Sequence, residues 1–218
     1  MMTSEDELGE LPPAGGVESP GPIAVHEAAH TILNSRFGFA TRRVSIVADA
    51  ASGTLGHSTA SGTGPHEADS RLEEVSYQGP EEMDTQVRRW VERRVITSLA
   101  GPEADIKLGR SDSEVSVGAG LVELPEPITV HGEEVTHALR AGGDYTFVQN
   151  LMEKVTAGDD ELAMAWVEML RIRTARLVAL HWDVILYLAQ ALQERQTLNK
   201  TEITALLAEQ SKAVHEGS

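Results

Sequence analysis

Cysteine is absent from the 218 residues, which excludes a disulfide scaffold, a thiolate zinc site and a cysteine nucleophile. Bases are scarce: 18 Lys and Arg stand against 34 Asp and Glu, a net charge of −16. A chain that acidic is a poor general ligand for nucleic acid or anionic lipid, so neither is expected as a partner. No apolar run approaches the ~20 residues of a membrane-spanning helix. The start, MMTSEDELGELPPAGG, is acidic and rich in Pro and Gly, the reverse of a secretory signal. A cytoplasmic protein without a membrane span is expected. The phosphate-cradling pattern G-x-x-x-x-G-K-[ST] is missing as well, so no P-loop ATPase is expected within these residues.

The length suits one globular domain with a sizeable core. The charge is unevenly placed. Residues 1–20 hold five acids and no base, residues 66–84 seven acids and one base, and residues 111–134 six acids and no base, so the remainder is close to neutral. Residues 1–20 read as a disordered acidic leader. Residues 21–214 read as the folded domain, with acidic excursions at 61–84 and 110–134.

Periodicity supplies the elements. Pro22 suits the first turn of a helix, and the alanine-rich stretch 22–36 continues it. Arg43–Ala48 alternates and is β-branched, so a strand is expected there, with a second over Thr54–Ala60. Met83, Val87, Val91, Val95 and Leu99 recur at i+4 and predict a helix over 82–100, which Gly101-Pro102 should end. A short helical piece to Gly109 and an acidic hairpin or extended excursion over 110–134 should follow. Helices are then expected at 135–156, at 160–195 as one long amphipathic element, and at 200–214. Leu162, Trp166, Met169 and Leu170 begin the apolar stripe of the long helix. Asn199 with Glu202 forms a capping-box variant that opens the last helix. The expected class is α+β, mostly α-helical, with a small sheet and a C-terminal helical bundle.

The chemistry sits in Ala24-Val25-His26-Glu27-Ala28-Ala29-His30, an H-E-x-x-H pattern inside the first expected helix. Four residues is slightly more than one turn, so His26 and His30 leave the same face and can hold one metal ion together. Glu27 lies beside them, placed to take a proton from a water that the metal has acidified. From this composition the pattern arises by chance roughly 0.03 times in such a chain. A zinc hydrolase needs a third protein ligand, here a histidine or a carboxylate. Asp144, after Gly142-Gly143, is one candidate; Glu103, Asp105 and His137 are others, and periodicity does not choose among them. Arg88, Arg89, Arg93 and Arg94 read as a solvated basic face pairing with nearby acids. His181-Trp182 reads as packing at a seam between helices.

At domain scale the chain resembles the peptidase domain of the FtsH/paraplegin-type ATP-dependent zinc metalloproteases. AVHEAAHTIL is similar to that family's zinc-binding helix, RRVSIVADAASGTLGHS to its strand pair, and ITSLAGPEADIKLG to its L-x-G-R-x-A-E block. GGDYTFVQNLMEKV is similar to the block carrying the third ligand, and LVALHWDVILYLAQALQERQTLNKTEITALL to the C-terminal helices. Together these cover most of residues 22–208 in order. Ala29 stands where the family has glycine, and Pro102-Glu103-Ala104-Asp105 replaces its Arg-x-Ala-Glu.

The resemblance implies Zn2+ on His26, His30 and Asp144 with Glu27 as general base. It also places Leu55, Gly56 and His57 on a strand edge beside the cleft, where an extended substrate could pair. The implied activity is a metalloendopeptidase acting on unfolded or flexible polypeptides, served by a separate ATPase or unfoldase and assembling as a homo-oligomer. The alternative is a metal-binding interaction or regulatory module on the same fold, without catalysis.

Overall fold

Helix α1, Pro22–Arg36, opens with Pro22 at its first position, and Ala24, Glu27, Ala28, Ala29 and Leu33 favour the helix against the β-branched Ile23, Val25, Thr31 and Ile32. Its end is fixed by backbone geometry. Gly38 takes φ +80°, a left-handed conformation that glycine adopts without a Cβ penalty. Gly38 N–H then bonds Ser35 O at 3.2 Å and Phe39 N–H bonds Asn34 O at 2.8 Å, closing a Schellman motif. The computed structural model describes residues 19–47, 57–61, 77, 79–110, 121–130, 133–139 and 143–216. The expected leader up to residue 18, residues 62–76 of the first acidic excursion and residues 111–120 of the second lie outside them.

Ten of the residues from Ala24 to Asn34 are buried, so α1 is enclosed on nearly every side, as the central helix of a core must be. Ala24, Ala28 and Ala29 have no bulk beyond Cβ, and neighbouring helices can approach α1 closely. Strand β1, Ala40–Ser45, follows the turn and pairs antiparallel with β2, His57–Ser61. It lies three residues earlier than its alternation suggested, because the ladder ends at Ser45, opposite both His57 and Thr197. Beyond it, Ile46 N–H bonds Gln196 O at 2.9 Å.

Helix α2, Thr85–Lys107, starts where Asp84 accepts hydrogen bonds from Gln86 and Val87 N–H at 2.8 and 3.0 Å. Val87, Val91, Val95 and Leu99 are buried along it. Contrary to the expected break, the helix continues through Gly101 and Pro102. A proline in a helix interior costs about 3 kcal/mol through its missing N–H and its clash with the previous turn. Burial offsets that cost, since residues 101 to 105 are all buried, and ending the helix at Gly101 would forfeit their packing.

Strands β3, Leu121–Val130, and β4, Glu133–Leu139, pair antiparallel. Their register slips between Glu123 and Ile128, the stretch that contains Pro125 and Pro127, neither of which can donate to a ladder. Residues 133–139 are therefore strand, and the helix expected from 135 begins at Asp144 as α3, Asp144–Val155. The single helix expected over 160–195 is two: α4, Asp160–Leu180, and α5, Trp182–Arg195, bent by 73° at His181. The expected apolar stripe is correspondingly broken. Trp166 and Leu170 are buried on α4 and Ile185, Leu188 and Leu192 on α5, but Met169 is exposed.

Strand β5, Thr197–Asn199, is too short to carry a periodic signal, yet it pairs with the other side of β1. Val44 and Leu198 face each other across that pair and are fully buried. Helix α6, Lys200–Glu216, opens with the expected capping box: Asn199 Oδ1 accepts from Thr201 and Glu202 N–H, and Glu202 Oε2 accepts from Asn199 N–H at 2.8 Å. The fold is thus α+β and mostly helical, with sheet order β2-β1-β5 and a separate β3-β4 pair. Helices α2 and α5 pack on α1, α4 packs on α2, and α3 lies against α2 and α4. Among the described residues, no single helix is long and apolar enough to cross a membrane.

Candidate metal centre

His26 and His30 project from one face of α1, as their spacing requires, and Asp144 reaches them from the first turn of α3. The three candidate ligand atoms form a nearly equilateral triangle. His26 Nε2 is 3.1 Å from His30 Nε2, and Asp144 Oδ2 is 3.2 Å from His26 Nε2 and 3.1 Å from His30 Nε2. This group can hold a metal ion. A tetrahedral zinc with bonds of roughly 2.0–2.1 Å needs donors roughly 3.3 Å apart, close to the edges seen here.

The hydrogen bonds on the far side of each ring fix what faces the centre. His30 Nδ1 lies 2.7 Å from Thr97 O, a carbonyl that only accepts, so Nδ1 carries the proton. His26 Nδ1 lies 2.9 Å from Asp105 Oδ2, a carboxylate oxygen that likewise accepts. When neutral, both imidazoles therefore turn an Nε2 lone pair toward the same point as a carboxylate oxygen. Three acceptors without a donor repel one another, and only a cation or protons relieve them.

The titration of the metal-free groups follows from that crowding. Burial alone would lower the His26 pKa, but the hydrogen bonds to Asp105 and Asp144 and the charges of Asp144 and Glu27 push it up to about 10. Burial opposes a charge on His30 too, and Asp144 overcomes it and raises that pKa. Burial by itself would raise the Asp144 carboxyl, while the charge of His30 and the hydrogen bonds from both histidines hold it well below the usual carboxylate range. With no metal bound, protonation of the histidines relieves that crowding.

Room for an ion comes from α2. A Cβ built on Gly101 would come within 2.4 Å of His26 Nε2 and 2.5 Å of both His26 Cε1 and His30 Nε2. Any other residue there would fill the centre. Gly101 was expected to end a helix; its position instead lets the helix backbone pass under two imidazoles. A lone glycine within a helical apolar pattern was the available sequence signal for it.

Of the other candidates for third ligand, Glu103 is buried and paired with Arg171 at 3.3 Å. Burial raises its pKa and Arg171 partly offsets the rise. Asp105 does not reach the centre; its fully buried carboxylate accepts from His26 Nδ1 and forms an ion pair with Arg110 Nη1 at 3.0 Å. His137 lies in β4 opposite Glu123, so it is not two helical turns from Asp144. Glu27 is buried on α1, and its charge is felt by both histidines. Leu55 and Gly56 lie outside the described residues, and His57 opens β2 opposite Ser45. His181 occupies the bend between α4 and α5 rather than a helix interior; burial and the charge of Arg36 lower its pKa.

Asp105 gives a direct test of the support around the centre. Asp105→Asn keeps the shape but removes the anion that orients His26 and faces Arg110. Zinc affinity, measured by competition with a chromophoric chelator, is expected to fall about 10- to 100-fold. Unchanged affinity would show that the carboxylate serves only packing.

No protein-family model matches the chain, and no curated protein matches it by sequence.

Proposed function

We propose that the protein is a zinc-dependent metalloendopeptidase that hydrolyses peptide bonds in unfolded or flexible polypeptides. The observation that carries this reading is the convergence of His26 Nε2, His30 Nε2 and Asp144 Oδ2 within 3.2 Å of one another, with Glu27 adjacent on the same helix. Two nitrogens and one carboxylate oxygen match a catalytic zinc site, which keeps its fourth position open. The domain-wide resemblance to FtsH/paraplegin-type peptidases agrees with it.

Zinc, when bound, supplies a Lewis acid that brings the pKa of a water to about 7 and polarises a carbonyl. His26 and His30 act as neutral nitrogen donors, oriented by Asp105 and the Thr97 carbonyl. Asp144 supplies one negative charge toward the dication. Glu27 accepts a proton from the attacking water as its oxygen bonds to the carbonyl carbon, then delivers that proton to the leaving nitrogen as the C–N bond breaks. One water is consumed and a carboxyl and an amine are released. Strand β2 is at an edge of its sheet among the described residues, which suits pairing with an extended peptide through main-chain hydrogen bonds. Recognition of that kind tolerates many sequences but requires an open chain, so folded substrates would need a separate unfoldase.

The test is metal content and cleavage of unfolded casein before and after chelation. Stoichiometric zinc, loss of cleavage on chelation and recovery with Zn2+ are expected. Uptake should release protons and weaken as the pH falls, because His26, with its pKa near 10 in the metal-free protein, must give up its proton to bind. Calorimetry in buffers of different ionisation enthalpy reads that release. Zinc bound without any cleavage would favour the non-catalytic binding module. No zinc at all would sink both readings.

A further inference from the structure

Two of the three candidate ligands share α1, which the core encloses, whereas Asp144 stands alone at the start of a 12-residue helix. Its N-terminal cap, Gly143, contributes no side-chain hydrogen bond. Packing contributes to the depth and rotation of α3, and its first turn sits over an unusual neighbour. Phe147, one turn on from Asp144, has the guanidinium carbon of Arg94 at 4.8 Å from its ring centroid. The same carbon is 5.4 Å from the ring of Phe39, just past the end of α1, and 6.0 Å from that of Trp90 on α2. The chain has only three phenylalanines, and two of them flank this one cation. Arg94 is half-buried here, not part of the solvated basic face its neighbours suggested.

Arg94 also falls on a particular stripe. Residues 94, 97, 101 and 105 follow steps of three, four and four along α2, which is one face of a helix. Thr97 O holds His30, Gly101 leaves space beneath both imidazoles, and Asp105 holds His26. The remaining ligand has no such partner from Thr97, Gly101 or Asp105.

We propose that Arg94 is the positioning residue for Asp144, acting through Phe147, so that one face of α2 orients all three ligands of the centre. This rests on the metal reading above and adds a residue to it. The guanidinium is attracted to the negative faces of the rings and ties the first turn of α3 to α2 and to the end of α1. The Asp144 carboxylate is thereby held in place before the ion arrives.

A double-mutant cycle on the full chain tests this, with Zn2+ as probe and a chromophoric chelator as competitor. Arg94→Met keeps the length and apolar stem of the side chain and removes the cation. It is expected to weaken Zn2+ about tenfold in the wild-type background and to have no effect when Asp144→Ala is already present. Arg94→Lys should restore part of the loss. If Arg94→Met impairs folding, Phe147→Leu, which keeps an apolar side chain but removes the ring face, should give the same pattern. Equal losses with and without Asp144, or none in either background, would overturn the proposal. A wild-type chain that takes up no zinc would overturn the metal reading and this inference with it, whereas normal wild-type uptake with an unaffected Arg94→Met removes only the inference.

Discussion

Glu27→Gln is expected to cut peptide hydrolysis about 10²- to 10⁴-fold while zinc content and fold stay as they are. Glutamine has nearly the same shape as glutamate, so the buried position on α1 is filled equally well. The amide cannot accept a proton at neutral pH, however, and the attacking water keeps its own. The metal should survive the change because Glu27 is not among the converging atoms, which come from His26, His30 and Asp144. Its charge does favour cations at the centre, since it contributes to the raised pKa of both histidines. Neutralising it weakens protons and metal together, and the two effects offset one another in a competition between them. The measurements are kcat on a fluorogenic peptide and bound zinc per chain. Full activity with full zinc would place the base elsewhere.

The second large effect is expected from one methyl group. Gly101→Ala should abolish zinc binding while leaving the protein folded. Alanine is favoured over glycine in a helix interior by about 1 kcal/mol, so α2 itself gains. The new Cβ, however, would lie 2.4–2.5 Å from atoms of both imidazoles, far inside contact distance. Those atoms are the outer ends of side chains, so the rings swing away rather than the helices separating. Each ring then gives up its Nδ1 hydrogen bond, worth about 1 kcal/mol to Thr97 O and about 1.5–3 kcal/mol to the buried Asp105 carboxylate. The net change is a loss of about 1.5–3 kcal/mol once the helix gain is subtracted, which lowers stability without unfolding the protein. Ligation is less forgiving, because donor distances must hold within about 0.2 Å. A cooperatively folded protein with a somewhat lowered melting temperature and no bound zinc is the expected result; normal zinc uptake would show that the ligands do not meet above residue 101.

The sequence made some of this architecture legible through local rules. Helix α1 ends where Gly38 permits and starts at Pro22, and both signals lie within a few residues of the ends they set. The Asn199–Glu202 capping box is of the same kind. Local rules failed where distant packing outweighed them. Gly101-Pro102 looks like a helix end, but burial of residues 101 to 105 carries α2 onward. The apolar pattern over 160–195 runs through His181 without interruption, although the chain bends there by 73°. Residues 135–139 lack a breaker and read as helix, yet β3 captures them as a strand. Strand β5, at three residues, exists because β1 offers it a partner.

The candidate centre divides along the same line. That His26 and His30 share a face, with Glu27 beside them, follows from 3.6 residues per turn and needs no other part of the chain. The sequence could also state that the third ligand would be a nitrogen or carboxylate donor, since no thiolate exists. Which carboxylate meets the two histidines was decided by the tertiary structure: Asp144 lies 118 residues from His26 and 114 from His30. Glu103, Asp105 and Asp144 are equivalent as chemistry, and only packing turns one toward the ions' place, one toward Arg171 and one behind His26. The same holds for Gly101 and Arg94, whose roles depend on what lies across a helix interface. A helix repeats its own face every turn, so the sequence determines what that face presents; it carries no periodic record of which other helix will meet it.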